Sequence, residues 1–317
     1  MREKDLLVTV GIPTYNRPDG LRRTLECITG QTYQNIEIIV SDNCSPTSDT
    51  KFVVQEFMAK DSRIQYYRQE VNRGAPFNFK FVLEKANGEY FMWAADDDLW
   101  EPAFVERLVS CLILEPDMAI AMTGVKRIDE SGKIFDKSHF QSLVTLGYNQ
   151  FRLVYSAAGH DMISYEIINY YWYGLFRTAV LRKYANNIDN SFAKDQIIIC
   201  ELLLSVKVGY VDELLHAKHV YAQEYCERYP GEDLGKSYGD PLSYLKLFLT
   251  FGPYLIRSSN IPLKRKFWVP LLVIHMGSWV GMLYLNQTYQ KIIVSAKKIP
   301  VLNRFIKRIS DLLNKKR

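Results

Sequence analysis

Apolar strands alternate with amphipathic helices through the first third of this chain, in units of roughly 25 residues. Leu6–Ile12 reads as a buried strand rich in β-branched residues, followed by the loop Pro13-Thr14-Tyr15-Asn16-Arg17-Pro18. A helix with Leu21, Leu25 and Ile28 on one face then stops at Gly30. Ile36–Ser41 is a second strand and ends at Asp42-Asn43-Cys44-Ser45. A helix over about 47–59, a strand at Ile64–Arg68, a loop at Asn72–Pro76 and a helix over about 78–86 continue the pattern. The strand Tyr90–Ala94 comes next, then a helix from Pro102 with Phe104, Leu108, Val109 and Leu112 on one face. Such alternation specifies a parallel sheet with crossover helices. In that sheet the loops after Ile12, Ser41 and Ala94 open on the same side, so three distant segments form one crevice.

The third of these loops begins Ala95-Asp96-Asp97-Asp98. Three adjacent carboxylates repel one another, so a folded protein gathers them beside a cation. A hard divalent ion holding a diphosphate suits the cluster. An acidic cap before the helix at Pro102 is the plainer alternative.

The 317 residues allow one large domain with an extension, and 48% hydrophobic with 24% charged residues is a globular balance. Five scattered cysteines with no C-x-x-C pair point to reduced thiols in a cytosolic setting. The chain enters a strand within a few residues of Met1, so no signal peptide is expected. Beyond Glu115 the alternation loosens. Met118–Lys126 reads as a strand, Asp129–Lys133 as a hairpin turn, and 139–173 as an aromatic-rich stretch that fits an acceptor-side wall or ordinary core packing. A helix follows Gly174–Arg182, and Asp195 precedes a strongly apolar helical run.

The ordered motifs Val10-Gly-Ile-Pro-Thr-Tyr-Asn-Arg17, Ile39-Val-Ser-Asp-Asn-Cys-Ser45, Asn72-Arg-Gly74 with Asn78, Gly88-Glu-Tyr90, and Asp96-Asp-Asp98 with Pro102 resemble a family 2 glycosyltransferase of the GT-A fold. The likeness is dense over about 5–125 and loose over 170–225. It implies a Rossmann-like, mostly parallel α/β sheet flanked by helices. It also implies an inverting transfer of a sugar from a nucleotide diphosphate donor, with Mg²⁺ or Mn²⁺. By the same likeness Pro13, Thr14, Tyr15 and Asp42 hold the nucleobase side of the donor. Arg17, Arg73 and Asn78 lie near the base or diphosphate, Asp96 approaches the ribose, and Lys218 meets a phosphate. Asp97 is the direct metal ligand, with Asp98 and His219 completing the shell. The family often writes D-x-D-D where this chain has Ala95 first, which leaves open how Asp96, Asp97 and Asp98 divide the work.

The chemistry is legible on its own terms. A departing diphosphate gathers negative charge that cations stabilise, and an acceptor hydroxyl must lose a proton as it attacks. Asp195 is the candidate base; the family commonly has Glu-Asp where this chain has Lys194-Asp195. A neighbouring lysine tends to lower a carboxylate's pKa and weaken it as a base. Capping the helix Gln196–Val206 is the alternative role for Asp195.

Residues 260–317 hold twelve Lys or Arg and one acid, so the net charge of +5 conceals +11 in the tail and about −6 in the body. Phe267–Leu285 is uncharged but interrupted by Pro270, Gly277 and Gly281, and basic on both flanks, which suits an in-plane segment or hairpin over a single span. Over 299–313, Leu302, Phe305, Ile306, Ile309, Leu312 and Leu313 share one helical face, opposite basic residues. That pattern fits an anionic membrane interface; packing on the catalytic body is the alternative. No nucleic-acid reader motif accompanies the tail.

The expected organisation is a catalytic domain over 1–225, a helical connecting region over 226–262 and a basic amphipathic, membrane-associated segment over 263–317. The expected activity is glycosyl transfer to a lipid-linked glycan for a bacterial surface polysaccharide, at the cytoplasmic face of the membrane. A nucleotidyltransferase acting on a sugar phosphate, or a degenerate nucleotide-sugar binding protein, are the competing classes.

Overall fold

A computed structural model describes residues 6–138, 170–185, 194–221, 249, 251–267 and 269–270. The aromatic stretch over 139–169, most of 226–262 and the amphipathic run over 299–313 therefore lie largely or wholly outside the described residues.

Within them the chain runs β1 (Val8–Thr14), α1 (Pro18–Thr29), β2 (Ile36–Asp42), α2 (Asp49–Met58), β3 (Ile64–Arg68), α3 (Ala75–Lys85) and β4 (Tyr90–Trp93). It continues with β5 (Leu99–Trp100), α4 (Phe104–Leu114), β6 (Met118–Ile128), β7 (Ile134–Ser138) and β8 (Leu175–Arg177). Last come α5 (Thr178–Ala185), α6 (Lys194–Ser205), β9 (Lys207–His219) and α7 (Leu263–Lys266).

All strands join one sheet, in the order β3-β2-β1-β4-β8-β6-β9-β5, with β7 paired to β6. The first four are parallel, as the alternation predicts, with Thr14 opposite Asp42 and Gly11 opposite Trp93. Beyond β4 the sheet becomes mixed. The three-residue β8 lies antiparallel between β4 and β6, and Phe176 pairs with both Phe91 and Ile120. The expected turn at Asp129–Lys133 is present between β6 and β7, with Gly132 at φ 79°.

The strands bury both faces, and side chains alternate between two cores. Val8, Val10, Ile12, Ile38, Val40, Tyr90 and Met92 join one core with Leu21, Leu25, Val54 and Leu108. Ile39, Phe91 and Trp93 face the other, with Val82, Phe176, Leu202 and Leu203. Phe251, Leu255, Ile261 and Val269 belong to that second core. Gly11 lets α3 lie against β1, since a Cβ there would sit 2.7 Å from Val82.

Helix α3 starts at Ala75, three residues before the expected Asn78. Gly74, at φ 85°, delivers the chain into it, and Pro76 is pre-set for a first helical turn. Helix α6 likewise begins at Lys194, which puts Asp195 inside its first turn.

Candidate active site

The three strand-end loops converge as their parallel order requires. Asn43 N–H donates to Thr14 O at 2.9 Å, and the Asn78 amide donates to Thr14 O at 3.2 Å and Ser41 O at 2.8 Å. Asn78 thus staples the ends of β1 and β2 from the first turn of α3. Thr14 Oγ1 donates to Asp96 at 2.7 Å and so ties the first loop to the third.

Asp42 is fully enclosed. One carboxylate oxygen accepts from Ser45 N and Oγ, and the other from Tyr66 Oη at 2.9 Å. Burial, then the nearby Asp42 charge, pushes the Tyr66 phenol well above its ordinary range, so it stays a donor. Asp42 therefore shapes the second loop from within. The same loop holds Cys44 at φ 66°, and the first holds Asn16 at φ 54°. Left-handed backbone at non-glycine positions is costly and gathers at functional sites. Asn16 N–H donates to Ser45 Oγ at 2.8 Å, which locks the two strained loops together.

Arg17 faces the acid triplet, with Nη1 2.8 Å from Asp96 and 3.5 Å from Asp97. It supplies the counter-charge that three adjacent carboxylates require. The three divide clearly. Asp96 is held by Thr14 and Arg17. Asp98 is turned inward, onto His216 Nε2 at 3.0 Å and His219 N–H at 3.1 Å. Asp97 is the most open, with its side chain 18% exposed against 5% and 4% for Asp96 and Asp98. His219 Nδ1 lies 2.5 Å from Asp97 O; donating there, it leaves the ring lone pair on Nε2.

The other expected residues are placed as follows. Pro13 pairs with Ser41 in the β1–β2 ladder, and Tyr15 follows it, partly buried. Arg73 N–H donates to Asn43 Oδ1, while its guanidinium lies 3.6 Å over the Phe77 ring. Lys218 Nζ is directed to the Tyr170 ring, 5.3 Å from its centroid. Asp195 is the second residue of α6. Two residues given no role from the sequence stand behind the triplet: His216 contacts Asp98, and Trp100 stacks on the His216 ring. The signal for His216 was weak, a single imidazole in the apolar run Leu214–Ala217.

Among the described residues no group of three or more His, Cys, Asp or Glu forms a metal cage. Asp97 and His219 nevertheless offer one carboxylate and one imidazole. With one nitrogen donor the set departs from the all-oxygen shell of a hard ion, and Mn²⁺, taking its remaining ligands from water and a diphosphate, fits it better than Mg²⁺.

Comparison with known proteins gives the family and the fold. The profile of Glycosyl transferase family 2 matches residues 9–183. A Campylobacter jejuni GalNAc(5)-diNAcBac-PP-undecaprenol beta-1,3-glucosyltransferase is 38% identical over 92 residues, 29% of this chain and 29% of that protein. Staphylococcus aureus TarS 1–349, solved in complex with UDP-GlcNAc, has a TM-score of 0.63 at 16% identity, covering 86% of this chain and 73% of that one. The mannosyltransferase PcManGT of Pyrobaculum calidifontis, solved with GDP-Man and Mn²⁺, has a TM-score of 0.59 at 17% identity, covering 97% and 80%. The chain spans about half or less of the length of several curated relatives it matches, 51%, 21% and 20% in three of them. The structural likeness shows the GT-A fold. With its profile match running over more than half of the sequence, this chain belongs to glycosyl transferase family 2.

Proposed function

We propose that this glycosyltransferase inverts the anomeric centre as it moves a sugar from a nucleotide diphosphate donor to a hydroxyl acceptor, a lipid-linked glycan of a bacterial surface polysaccharide. The observation that carries this reading is the convergence of three loops on one acidic wall, with Arg17 between Asp96 and Asp97. The nucleobase and ribose lie against the Pro13–Tyr15 backbone and the ends of β1 and β2, with Asp42 and Asn78 holding those ends in place. Asp96 orients toward the ribose, and Arg73 and Lys218 belong to the diphosphate side. Asp97 and His219 would hold Mg²⁺ or Mn²⁺, which when bound would supply positive charge to the leaving diphosphate. Asp98 serves the site from beneath. Asp195, at the start of α6, takes the proton of the attacking hydroxyl.

Relatives support the substrate classes. TarS is solved with UDP-GlcNAc, PcManGT with GDP-Man and Mn²⁺, and the Campylobacter enzyme is named for an undecaprenol-linked acceptor. The body over 1–225, with the described part of 251–269 packed on its second core, carries the chemistry, and the basic segment beyond residue 270 contacts anionic lipid at the inner face of the membrane.

A panel of nucleotide sugars screened for thermal stabilisation with Mn²⁺ identifies the donor. Asp97→Ala is expected to abolish the Mn²⁺-dependent part of that stabilisation. Asp195→Asn is expected to keep it and lose turnover by at least about 100-fold. Full turnover in Asp195→Asn removes that residue from the mechanism.

A further inference from the structure

Strand β9 ends on the acid triplet by three contacts. His216 Nε2 is 3.0 Å from Asp98 Oδ2, His219 N–H donates to Asp98 Oδ1, and His219 Nδ1 meets Asp97 O. His216 itself is only 2% exposed. Its ring stacks on Trp100 at 5.3 Å and 6°, with Phe104 and Tyr173 edge-on. Trp100 belongs to β5 and is the ladder partner of His216. The imidazole is therefore enclosed in an aromatic sleeve and turned onto a single carboxylate that is equally buried.

Burying two polar groups in such a place costs free energy unless they hold each other. The sleeve alone would accept an apolar ring, so packing does not call for an imidazole. What the imidazole adds is a fixed Asp98. A fixed Asp98 holds the His219 backbone, and His219 in turn holds the Asp97 carbonyl. The chain of contacts closes on the two side chains that face the donor diphosphate.

We propose that Asp98 and His216 form a buried positioning pair: they set the rotation of His219 and the Asp97–Asp98 peptide so that the Asp97 carboxylate and His219 Nε2 meet one divalent ion. The inference rests on the metal reading given under Proposed function. It assigns Asp98 to orientation rather than ligation, and it gives His216 a role. Partners one bond removed from a metal typically change its affinity by roughly 10- to 100-fold when lost.

The test uses the full chain, with Mn²⁺ titrated calorimetrically in the presence of UDP and, separately, GDP. The melting temperature without ligand is followed in parallel. His216→Phe refills the sleeve with a ring that cannot bond Asp98. It is expected to raise the Mn²⁺ concentration at half-saturation roughly 10- to 100-fold, and also to lower the melting temperature, because the buried Asp98 carboxylate loses a partner. His216→Gln, whose amide can donate to Asp98, is expected to recover part of that loss and carries the test if His216→Phe does not fold. Native Mn²⁺ affinity in His216→Phe, or a Gln variant no better than Phe, overturns the pairing, as does a fall in melting temperature with no change in Mn²⁺ affinity. Asp97→Ala separates the two readings. If it loses Mn²⁺ while His216→Phe keeps it, only the pairing fails. If it binds Mn²⁺ as the native chain does, or the native chain binds Mn²⁺ with neither nucleotide, the metal reading fails and takes the pairing with it.

Discussion

Gly20 sits in the first turn of α1, where alanine would ordinarily favour the helix by about 1 kcal/mol. A Cβ there would lie 2.4 Å from the Asp96 carbonyl oxygen, which is backbone and cannot swing aside. Overpacking of that kind costs about 1–3 kcal/mol and wins over propensity. Gly20→Ala is therefore expected to lower the urea midpoint and to weaken nucleotide binding, because the shift falls on the triplet itself. Residues of this kind separate what a sequence announces from what it conceals. The cluster Asp96, Asp97 and Asp98 stood out because adjacent charges are rare without a purpose, and the structure gives the three different surroundings: Asp96 on Arg17, Asp98 on His216, and Asp97 the most open. His216 was not legible, since an imidazole in an apolar run is most often a satisfied core residue. Only its contact with Asp98, far away in sequence, distinguishes it.

Elements tell the same story through register. Strand β9 was not expected as a strand, although it is the longest described. Its ladder with β6 runs from Thr123–Val211 to Gly124–Leu214 and then Val125–His216, so residues are skipped on β9 between successive pairs. Bulges of this kind erase the period-two pattern by which strands are recognised. β8 escaped notice because it is three residues long. β1, β2 and β3 have regular ladders and were found to within two residues. The loop after β2 yields a prediction of its own. Tyr66→Phe leaves Asp42 short of a buried donor and is expected to cost about 1–2 kcal/mol. The Tyr66 phenol titrates higher folded than unfolded, so its stabilisation is complete below about pH 10 and is lost as pH rises toward the folded value. Urea midpoints at pH 8 and pH 10.5 should accordingly fall further in the native chain than in Tyr66→Phe.

At the scale of the molecule, the apolar run of α6 is interrupted by Glu201, which is 1% exposed. Its carboxylate accepts from Tyr254 Oη at 2.8 Å, Ser258 Oγ at 2.5 Å and the Asn260 amide at 2.9 Å. Arg265 adds a bond to Leu204 O. Glu201→Ala strands three donors and is expected to destabilise the fold by on the order of 3 kcal/mol, with Glu201→Gln milder because it keeps an acceptor. Equilibrium urea unfolding measures both. The segment over 251–267 is thus part of the body's packing, so a test of membrane attachment should cut the chain after residue 270, beyond the buried Val269. No helix among the described residues is long and apolar enough to cross a bilayer. Full-length protein is expected to sediment with anionic vesicles and the 1–270 chain to stay in solution while still binding nucleotide. Equal behaviour of the two removes the tail from that role.

The Glu201 cluster also orders events in time. A ribosome releases β1 to β4 first, and they can pair as they emerge. Helix α6 follows, carrying Asp195 at its start and a carboxylate whose three donors come from residues 254 to 260. Until those residues emerge, the nascent chain has its parallel strands in place but a buried Glu201 that still lacks its three donors.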